Sequence, residues 1–351
     1  MDAMKKFLAA FCLILCLATV AGAQTPVTKY VNTACGNNGD GTANTCAASG
    51  GAPGAYNTCS AAEAQNLNLT SLNQTMTIIQ DPGGSACGAI TQDGWTLDAT
   101  RWLRWEGLRI STSNYSFALR AADNYVQFAD CQIDKSGEFL DRNVVEFRGS
   151  NLTFERCSSA IDLPSPDGST GAWVSDNGDA LGTLTIRNTV IYGCQGHCID
   201  IPFNSGDVIN VFNNTIVGAA SNGIQISADS STGSFINVSN NLVTGSGGND
   251  YDISTSSATY SHFTNISEDA TSPETGGRSK TITYVNAGAN DYHLDPGETD
   301  AIDAGTDLSG SYGFSDDFNG DSRGATWDIG MDEIPETPSG PGDEIILLLE
   351  D

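Results

Sequence analysis

The part of this sequence that could do chemistry is a set of polar residues, each flanked by two apolar or small ones. Six such triplets recur along the chain. In a β-strand the two outer members of a triplet face one side and the middle member faces the other. Stacked triplets would therefore display their middle residues as one outward row, at steps of about 5 Å. The row contains Arg120, Glu146, Asp179, Asp200, Gln225 and Asp252.

Three successive acids in this row suggest acid–base catalysis or cation binding. Close carboxylates repel one another, which raises at least one pKa or recruits a cation. Carboxylates about 5 Å apart suit a retaining glycosidase, and a separation of about 6.5–9.5 Å suits an inverting one. The catalytic candidates are Glu146, Asp179 and Asp200, with Arg120 and His197 as auxiliaries. The alternative is a solvated polar face, because outward strand residues are polar in any case.

A repeated pattern of short strands must position this row. Residues 210–218 and 237–245 share the core Asn-Val-x-Asn-Asn, and residues 185–193 are a variant of it. A period of about 25 residues is typical of a solenoid with one turn per repeat, and about eight coils are predicted. Asn214 would then lie over Asn241 in a ladder of amides. The central apolar residue of the pattern recurs at Ile78, Trp105, Phe128, Phe154, Ile186, Val211, Val238 and Phe263.

This pattern resembles the right-handed parallel β-helix repeat proteins, a group that includes pectin-degrading enzymes and phage tailspikes. The resemblance covers roughly residues 70–290 and implies a fold rather than an activity. The expected fold is all-β, a right-handed parallel β-helix with a short N-terminal capping helix that opens at the capping box Ser60–Glu63 and runs through Asn68. An all-β sandwich is the rival fold, but it gives no reason for an Asn-Asn pair that recurs in register.

Two other regions resemble exported bacterial β-helix proteins. The Gly39–Thr42 loop before a small helix is similar to their opening, and the series of short segments from 291 to 333 is similar to a closing region followed by variable C-terminal anchors. β-Helix polysaccharide enzymes work from the outer strand face. The resemblance implies that any chemistry in this chain would take place on the same face. Gly196 and His197 beside Asp200 resemble a pectin-hydrolase motif, although Cys198 stands where that motif has Gly.

The N-terminus is typical of a secretory signal peptide. Lys5 and Lys6 precede an apolar run over 7–20, and the small residues Ala21 to Ala23 follow. Cleavage is predicted after Ala23, and the mature protein is expected to be secreted or to lie on the cell surface. The apolar run is too short to span a bilayer.

Eight cysteines remain after this cleavage, and an even number in an exported chain favours disulfides. Cys131 and Cys157 occupy the same place in consecutive coils, so stacking predicts a disulfide between them. Cys194 and Cys198 are predicted to form a second, local pair. A zinc site that includes His197 is the alternative for this second pair.

Two loops depart from the repeat. A gap of 32 residues separates Phe154 from Ile186 and marks an insertion. Because loops on a rigid scaffold often carry binding residues, Trp173 in this insertion is predicted to be exposed and to bind a glycan. A tolerated insertion without function is the alternative.

The second loop contains Asp317, Asn319 and Asp321, which place oxygen atoms at alternate positions, as at the start of a Ca²⁺ loop. Ca²⁺ is therefore the predicted cofactor, and an Asp/Gly turn is the alternative.

The predicted organisation is a single solenoid with extensions at both ends. Residues 344–350 have too few apolar positions for a transmembrane anchor. The predicted regions are a signal peptide at 1–23, an N-terminal loop and cap helix at 24–70, the β-helix at 71–290, a closing region at 291–334, and a linker with a short acidic and apolar tail at 335–351.

Charge and motifs limit the function. The formal net charge is −28, and nucleic acid is disfavoured as a partner because a phosphate backbone needs a Lys/Arg footprint. A non-catalytic binder of glycans or surfaces and a lyase or glycoside hydrolase acting on an acidic polysaccharide are the two classes that remain. The absence of Lys from the row and the departure at Cys198 favour the binder, and whether the chain is an enzyme is left open.

Overall fold

The computed structural model describes residues 24–335, apart from 113–117, 137–142, 163–172, 176–180, 229–231 and 256. Twenty-three strands of the described chain form three parallel sheets, with nine strands in sheet 1 and seven each in sheets 2 and 3. Between residues 103 and 253 each turn contributes one strand to every sheet, so the chain is an all-β parallel solenoid. The solenoid has about six turns, fewer than the eight coils predicted from the sequence.

The strands are numbered in chain order. Sheet 1 consists of β1 Thr25–Val31, β2 Gln74–Gln80, β4 Leu103–Glu106, β7 Val126–Ala129, β10 Leu152–Glu155, β13 Thr183–Arg187, β16 Val208–Phe212, β19 Phe235–Ser239 and β22 Thr259–Phe263. Sheet 2 consists of β5 Arg109–Thr112, β8 Gln132–Ser136, β11 Ser158–Asp162, β14 Val190–Tyr192, β17 Thr215–Val217, β20 Leu242–Thr244 and β23 Ile266–Ser267. Sheet 3 consists of β3 Ile90–Gln92, β6 Leu119–Ala121, β9 Val145–Phe147, β12 Trp173–Ser175, β15 Ile199–Phe203, β18 Ile224–Ala228 and β21 Tyr251–Ile253.

The remaining elements lie at the two ends of the described chain. They are the helices α1 Cys59–Glu63, α2 Leu69–Leu72 and α3 Ser309–Tyr312, the 3-10 turns Thr275–Gly277 and Ala287–Ala289, and the antiparallel hairpin β24 Tyr284–Asn286 with β25 Asp291–Leu294. Helix α1 differs slightly from the prediction. The side chain of Thr58, rather than that of Ser60, accepts the capping hydrogen bond, and the helix stops at Glu63. Its buried residues Cys59 and Ala62 join the core of the solenoid.

The inward residues of sheet 1 confirm the register read from the repeat. Ile186, Val211 and Val238 pair in order across β13, β16 and β19, and all three are fully buried. The last predicted inward residue, Phe263, is wrong by one position. Val238 pairs with His262, and Phe263 is half exposed. A shift of one residue moves a strand side chain to the opposite face.

The predicted amide ladder is present at the bend between sheets 1 and 2. Asn213 and Asn240 adopt left-handed backbone angles there, with φ of 50° and 57°. The following residues form the ladder: Asn214 Nδ2 donates to Asn241 Oδ1 at 2.9 Å, and Asn241 Nδ2 donates to Asn265 Oδ1 at 3.0 Å. All the ladder residues are buried, so their amides satisfy peptide groups that water does not reach.

Residues 291–334, called the closing segment below, pack along the outside of this bend. Asn240 Nδ2 donates to the carbonyl of Thr306 at 2.8 Å. The fully buried guanidinium of Arg323 bonds Asn188 Oδ1 at 3.2 Å and Glu333 Oε2 at 3.1 Å. The closing segment therefore contacts several successive coils, and it forms one wall of the surface features described next.

Candidate functional site

The row predicted on sheet 3 exists, but one of its members is different. Strand pairing places Arg120 beside Glu146, Glu146 beside Val174, and Val174 beside Asp200. Val174 therefore occupies the place assigned from the sequence to Asp179, and that register assignment was wrong. Asp179 itself lies outside the described residues.

The acids that remain in the row are not close neighbours. Glu146 and Asp200 are two strands apart, which corresponds to roughly 9–10 Å between backbones. The predicted run of three adjacent carboxylates is thus interrupted by an aliphatic side chain. Gln225 separates Asp200 from Asp252 in the same way.

Glu146 is held as an ionised carboxylate. Arg120 Nε contacts one oxygen, and Arg148 Nη2 lies 3.0 Å from the other. Burial opposes ionisation, but the hydrogen bonds from the two arginines outweigh it and hold the pKa of Glu146 below its usual range. Glu146 is therefore poorly suited to donate a proton.

Asp200 has the opposite environment. Burial raises the pKa of this half-buried carboxyl, and the nearby His197 offsets the rise only in part. His197 Nδ1 accepts a hydrogen bond from the backbone N–H of Asn222 at 3.2 Å. The Asn222 amide in turn donates to Gln225 Oε1 and to Asp252 Oδ2, both at 3.0 Å. Asp200 is the member of the described row with the environment of a general acid.

A groove that the sequence did not reveal lies on the outer face of sheet 1. Its volume is about 300 Å³. The floor is a row of polar side chains from successive strands, and the closing segment forms one side. The lining residues are Arg104, Gln127, Thr153, Glu155, Thr185, Arg187, Asn210, Phe212, Tyr312, Gly313 and Phe314.

Two arginines on this floor share one buried carboxylate. Arg104 Nη1 lies 2.7 Å from Glu155 Oε1, and the guanidinium of Arg187 contacts Glu155 Oε2. Burial acts against ionisation of Glu155, but Arg187 and Arg104 together hold its pKa below the usual range. Nη2 of Arg104 and Nη1 of Arg187 have no hydrogen-bond partner within the described chain. The floor thus keeps donors available for a ligand.

The side wall of the groove is aromatic. The ring of Phe212 lies 4.3 Å from that of Tyr312 and 6.1 Å from that of Phe314, measured between centroids. The guanidinium of Arg187 lies over the Phe314 ring at 4.5 Å. Phe212 and Phe314 are buried, whereas Tyr312 remains 37% exposed. Tyr312 therefore offers an aromatic surface to whatever enters the groove.

Comparison with known families decides the classification. Residues 55–243, more than half of the chain, match the family described as right handed beta helix region. The chain belongs to the right-handed β-helix family. A search of the curated proteins found no match. Because this fold carries many unrelated activities, membership establishes the architecture and leaves function to the sites.

Trp173 in this β-helix protein is a core residue, and its predicted exposure was wrong. It is fully buried, with ring centroids 5.2 Å from Phe154 and 6.2 Å from Phe147. Strand β12 pairs Trp173 with Val145 and Ile199, which both face inward. The segment predicted to be an insertion contains strand β12, which carries Trp173 into the core. Trp173 therefore does not form a glycan platform.

Backbone hydrogen bonds to Asp317 shape the loop that contains Asp317, Asn319 and Asp321. Asp317 is fully buried, and its Oδ1 accepts the backbone N–H groups of Asn319 and Asp321, both at 2.9 Å. This is the arrangement of an Asp/Gly turn. Among the described residues no cluster of three His, Cys, Asp or Glu side chains is placed to hold a metal. Calcium binding stays a prediction, which melting curves recorded with Ca²⁺ and with a chelator would test.

The structure contains both disulfides expected from the sequence. Cys131–Cys157 joins consecutive coils with a Cα–Cα distance of 4.4 Å, and Cys194–Cys198 closes a local loop. The zinc alternative fails because both of its sulfur atoms are bonded to each other. Two further bridges, Cys35–Cys46 and Cys59–Cys87, lie near the N-terminus.

Part of the groove could have been found from the sequence. One polar residue stands directly before each inward apolar residue of sheet 1, namely Thr185, Asn210 and Asn237. Because strand side chains alternate between faces, these residues predict a polar row on the outer face. No sequence signal indicated that Tyr312 and Phe314 would pack beside that row, because they lie in the closing segment outside the repeat. No helix of the described chain is long and apolar enough to cross a membrane.

Proposed function

We propose that this protein is exported and binds a polysaccharide without cleaving it, in the groove between sheet 1 and the closing segment. The observation that carries the proposal is the combination of a polar floor with an aromatic wall. Binding sites typically combine apolar and aromatic surface with a few well-placed polar groups that fix orientation. A sugar ring presents both kinds of surface, with C–H groups on its faces and hydroxyls around its edge.

The groove offers complementary contacts to each part of such a ring. Tyr312 supplies the exposed aromatic face, and tyrosine contributes large contact area at a low cost in side-chain entropy. The available guanidinium nitrogens of Arg104 and Arg187 can donate to hydroxyl or carboxylate oxygens. Repeating floor residues at steps of about 4.8 Å extend along the solenoid axis, which suits a linear chain better than a compact ligand.

Binding to a panel of neutral and acidic polysaccharides, measured by affinity electrophoresis and calorimetry, tests the proposal. Tyr312→Ala should weaken binding about tenfold, which corresponds to about 1.4 kcal/mol. The matched control is Leu72→Ala, which truncates another exposed apolar side chain, 49% exposed, on the distant helix α2. The proposal fails if no polysaccharide binds, or if Tyr312→Ala binds as tightly as Leu72→Ala.

Hydrolysis or lyase cleavage of an acidic polysaccharide is a second candidate, favoured by the environment of Asp200. A half-buried carboxyl with a raised pKa beside His197 is the arrangement expected of a general acid. Release of reducing or unsaturated sugar ends from acidic polysaccharides, abolished by Asp200→Asn but not by Tyr312→Ala, would favour this candidate over non-catalytic binding.

A further inference from the structure

A second cavity lies where the closing segment meets the corner between sheets 1 and 2. Its volume is about 550 Å³, within the range of about 300–1,000 Å³ that small-molecule sites occupy. The solenoid supplies most of the wall, and the closing segment supplies the rest through Phe318 and Asn319. The lining residues are Ile79, Gln80, Pro82, Glu106, Gly107, Arg109, Asp130, Cys131, Gln132, Arg156, Ser158, Phe318 and Asn319.

The guanidinium of Arg109 is incompletely satisfied by the protein. Its Nη2 donates to the carbonyls of Asp81 and Gly84. Nε is buried without a partner, and Nη1 makes no hydrogen bond to the residues that the structure describes. No described carboxylate lies within ion-pair distance of Arg109, although Asp and Glu together number 43 in this chain. An incompletely paired guanidinium in a cavity of such an acidic protein indicates an anion-binding position.

The other charged side chains at the cavity form ion pairs within the protein. Arg156 Nε lies 2.6 Å from Asp130 Oδ1, and Arg156 Nη1 contacts Asp316 of the closing segment. The hydrogen bond to Asp130 raises the pKa of Arg156 and outweighs the opposing effect of burial, so Arg156 stays protonated. Glu106 is 41% exposed at its side chain and lies 3.7 Å from Arg104. Arg109 therefore remains the cation available to a ligand.

The rest of the lining includes a substantial apolar part. Ile79 and Pro82 lie on the solenoid side, Phe318 lies on the side of the closing segment, and Cys131 contributes through its disulfide to Cys157. Phe318 is half-buried rather than packed fully into the core. Apolar surface opposite a single unpaired cation favours a ligand with an apolar body and one negative group.

We propose that this cavity binds a small organic anion whose carboxylate or sulfonate pairs with Arg109 and whose apolar body lies against Ile79, Pro82 and Phe318. The site is separate from the groove on the outer face of sheet 1, since the two share no lining residue. It does not depend on the proposed polysaccharide binding, because different side chains carry the two proposals.

Two fluorescent probes of similar shape test the proposal on the mature protein. The anion 1-anilinonaphthalene-8-sulfonate carries the required charge, and neutral N-phenyl-1-naphthylamine lacks it. Titration of the wild type should show saturable binding of the anion at a single site. Arg109→Met should weaken the anion about tenfold or more and leave the neutral probe within about twofold, because a charge-assisted hydrogen bond is lost.

Two further variants test whether the probes bind in this cavity. Arg101→Met is the matched control, because Arg101 pairs with Asp98 outside the cavity, and it should leave both affinities unchanged. Phe318→Ala retains Arg109 and should weaken both probes if they occupy this cavity. The wild type and each variant are first checked for cooperative thermal melting, and only variants that melt cooperatively are compared.

Three results would overturn the proposal. They are the absence of saturable anion binding to the wild type, equal anion affinity in Arg109→Met and Arg101→Met, and unchanged affinity for both probes in Phe318→Ala. If Arg109→Met does not fold, Phe318→Ala and the ratio of anionic to neutral probe affinity in the wild type decide the question: a ratio near one is incompatible with pairing to Arg109.

Discussion

Replacing Asn241 by Ala should remove a large part of the stability of the solenoid. Asn241 is fully buried, and its Oδ1 accepts from the backbone N–H of Asn214 at 3.1 Å and from Asn214 Nδ2 at 2.9 Å. Its own Nδ2 donates to the carbonyl of Val211 at 2.7 Å and to Asn265 Oδ1 at 3.0 Å. One side chain thus links three successive coils.

The magnitude follows from what the substitution leaves unpaired. The buried backbone N–H of Asn214 loses its partner, which costs about 1–3 kcal/mol, and three further hydrogen bonds at about 1 kcal/mol each are lost. The sum is about 4–6 kcal/mol, a large fraction of the roughly 5–15 kcal/mol by which proteins are usually stable. A change of this size should be visible in every equilibrium probe.

Urea denaturation followed by circular dichroism measures the loss, and amide hydrogen exchange shows where it is concentrated. Exchange should accelerate first in the coils that contain β16, β19 and β22, because each coil is stabilised mainly by its neighbours. The matched control is Asn249→Ala, since Asn249 is exposed and its side chain makes no hydrogen bond within the described chain. A loss below about 1 kcal/mol, similar to that of the control, would refute the reasoning and mean that water replaces the missing amide.

Two further predictions concern the disulfides and pH. Replacing both cysteines of the bridge Cys131–Cys157, which spans 26 residues, should cost about 3.5 kcal/mol, against about 2 kcal/mol for the bridge Cys194–Cys198, which spans 4. Paired urea titrations check this order, and equal losses would contradict the loop-entropy argument. Burial raises the pKa of Asp328 to about 6 from 3.8, so its contribution to stability is fully present below 3.8 and is lost as pH rises through about 6. The melting temperature should therefore fall more steeply between about pH 4 and 7 in the wild type than in Asp328→Asn, and parallel curves would show that another group is responsible.

The sequence by itself determined the repeating unit of this protein. Alternation placed Ile186, Val211 and Val238 inside, because strand side chains point to opposite faces in turn. Asn214 and Asn241 were predicted to stack because the same residues recur at the same bend. Both inferences rest on interactions between adjacent turns of similar sequence, and such interactions leave a periodic signal.

Only the tertiary structure decided what happens where the period breaks. Between Phe154 and Ile186 the spacing fits more than one strand, and the pairing of Val174 with Glu146 selected one that excludes Asp179 from the row. The choice buries Trp173 against Phe154, and a change in register would have moved that indole out of the core.

The two cavities depended on the tertiary structure for a similar reason. Tyr312 and Phe318 lie in the closing segment, which has no repeat of its own, and they reach the solenoid through contacts such as Asn240 with Thr306. Neither the direction of that segment nor the side chains it would meet is encoded in local alternation. The sequence therefore determined the scaffold, and the packing of a non-repeating segment on it determined where ligands can bind.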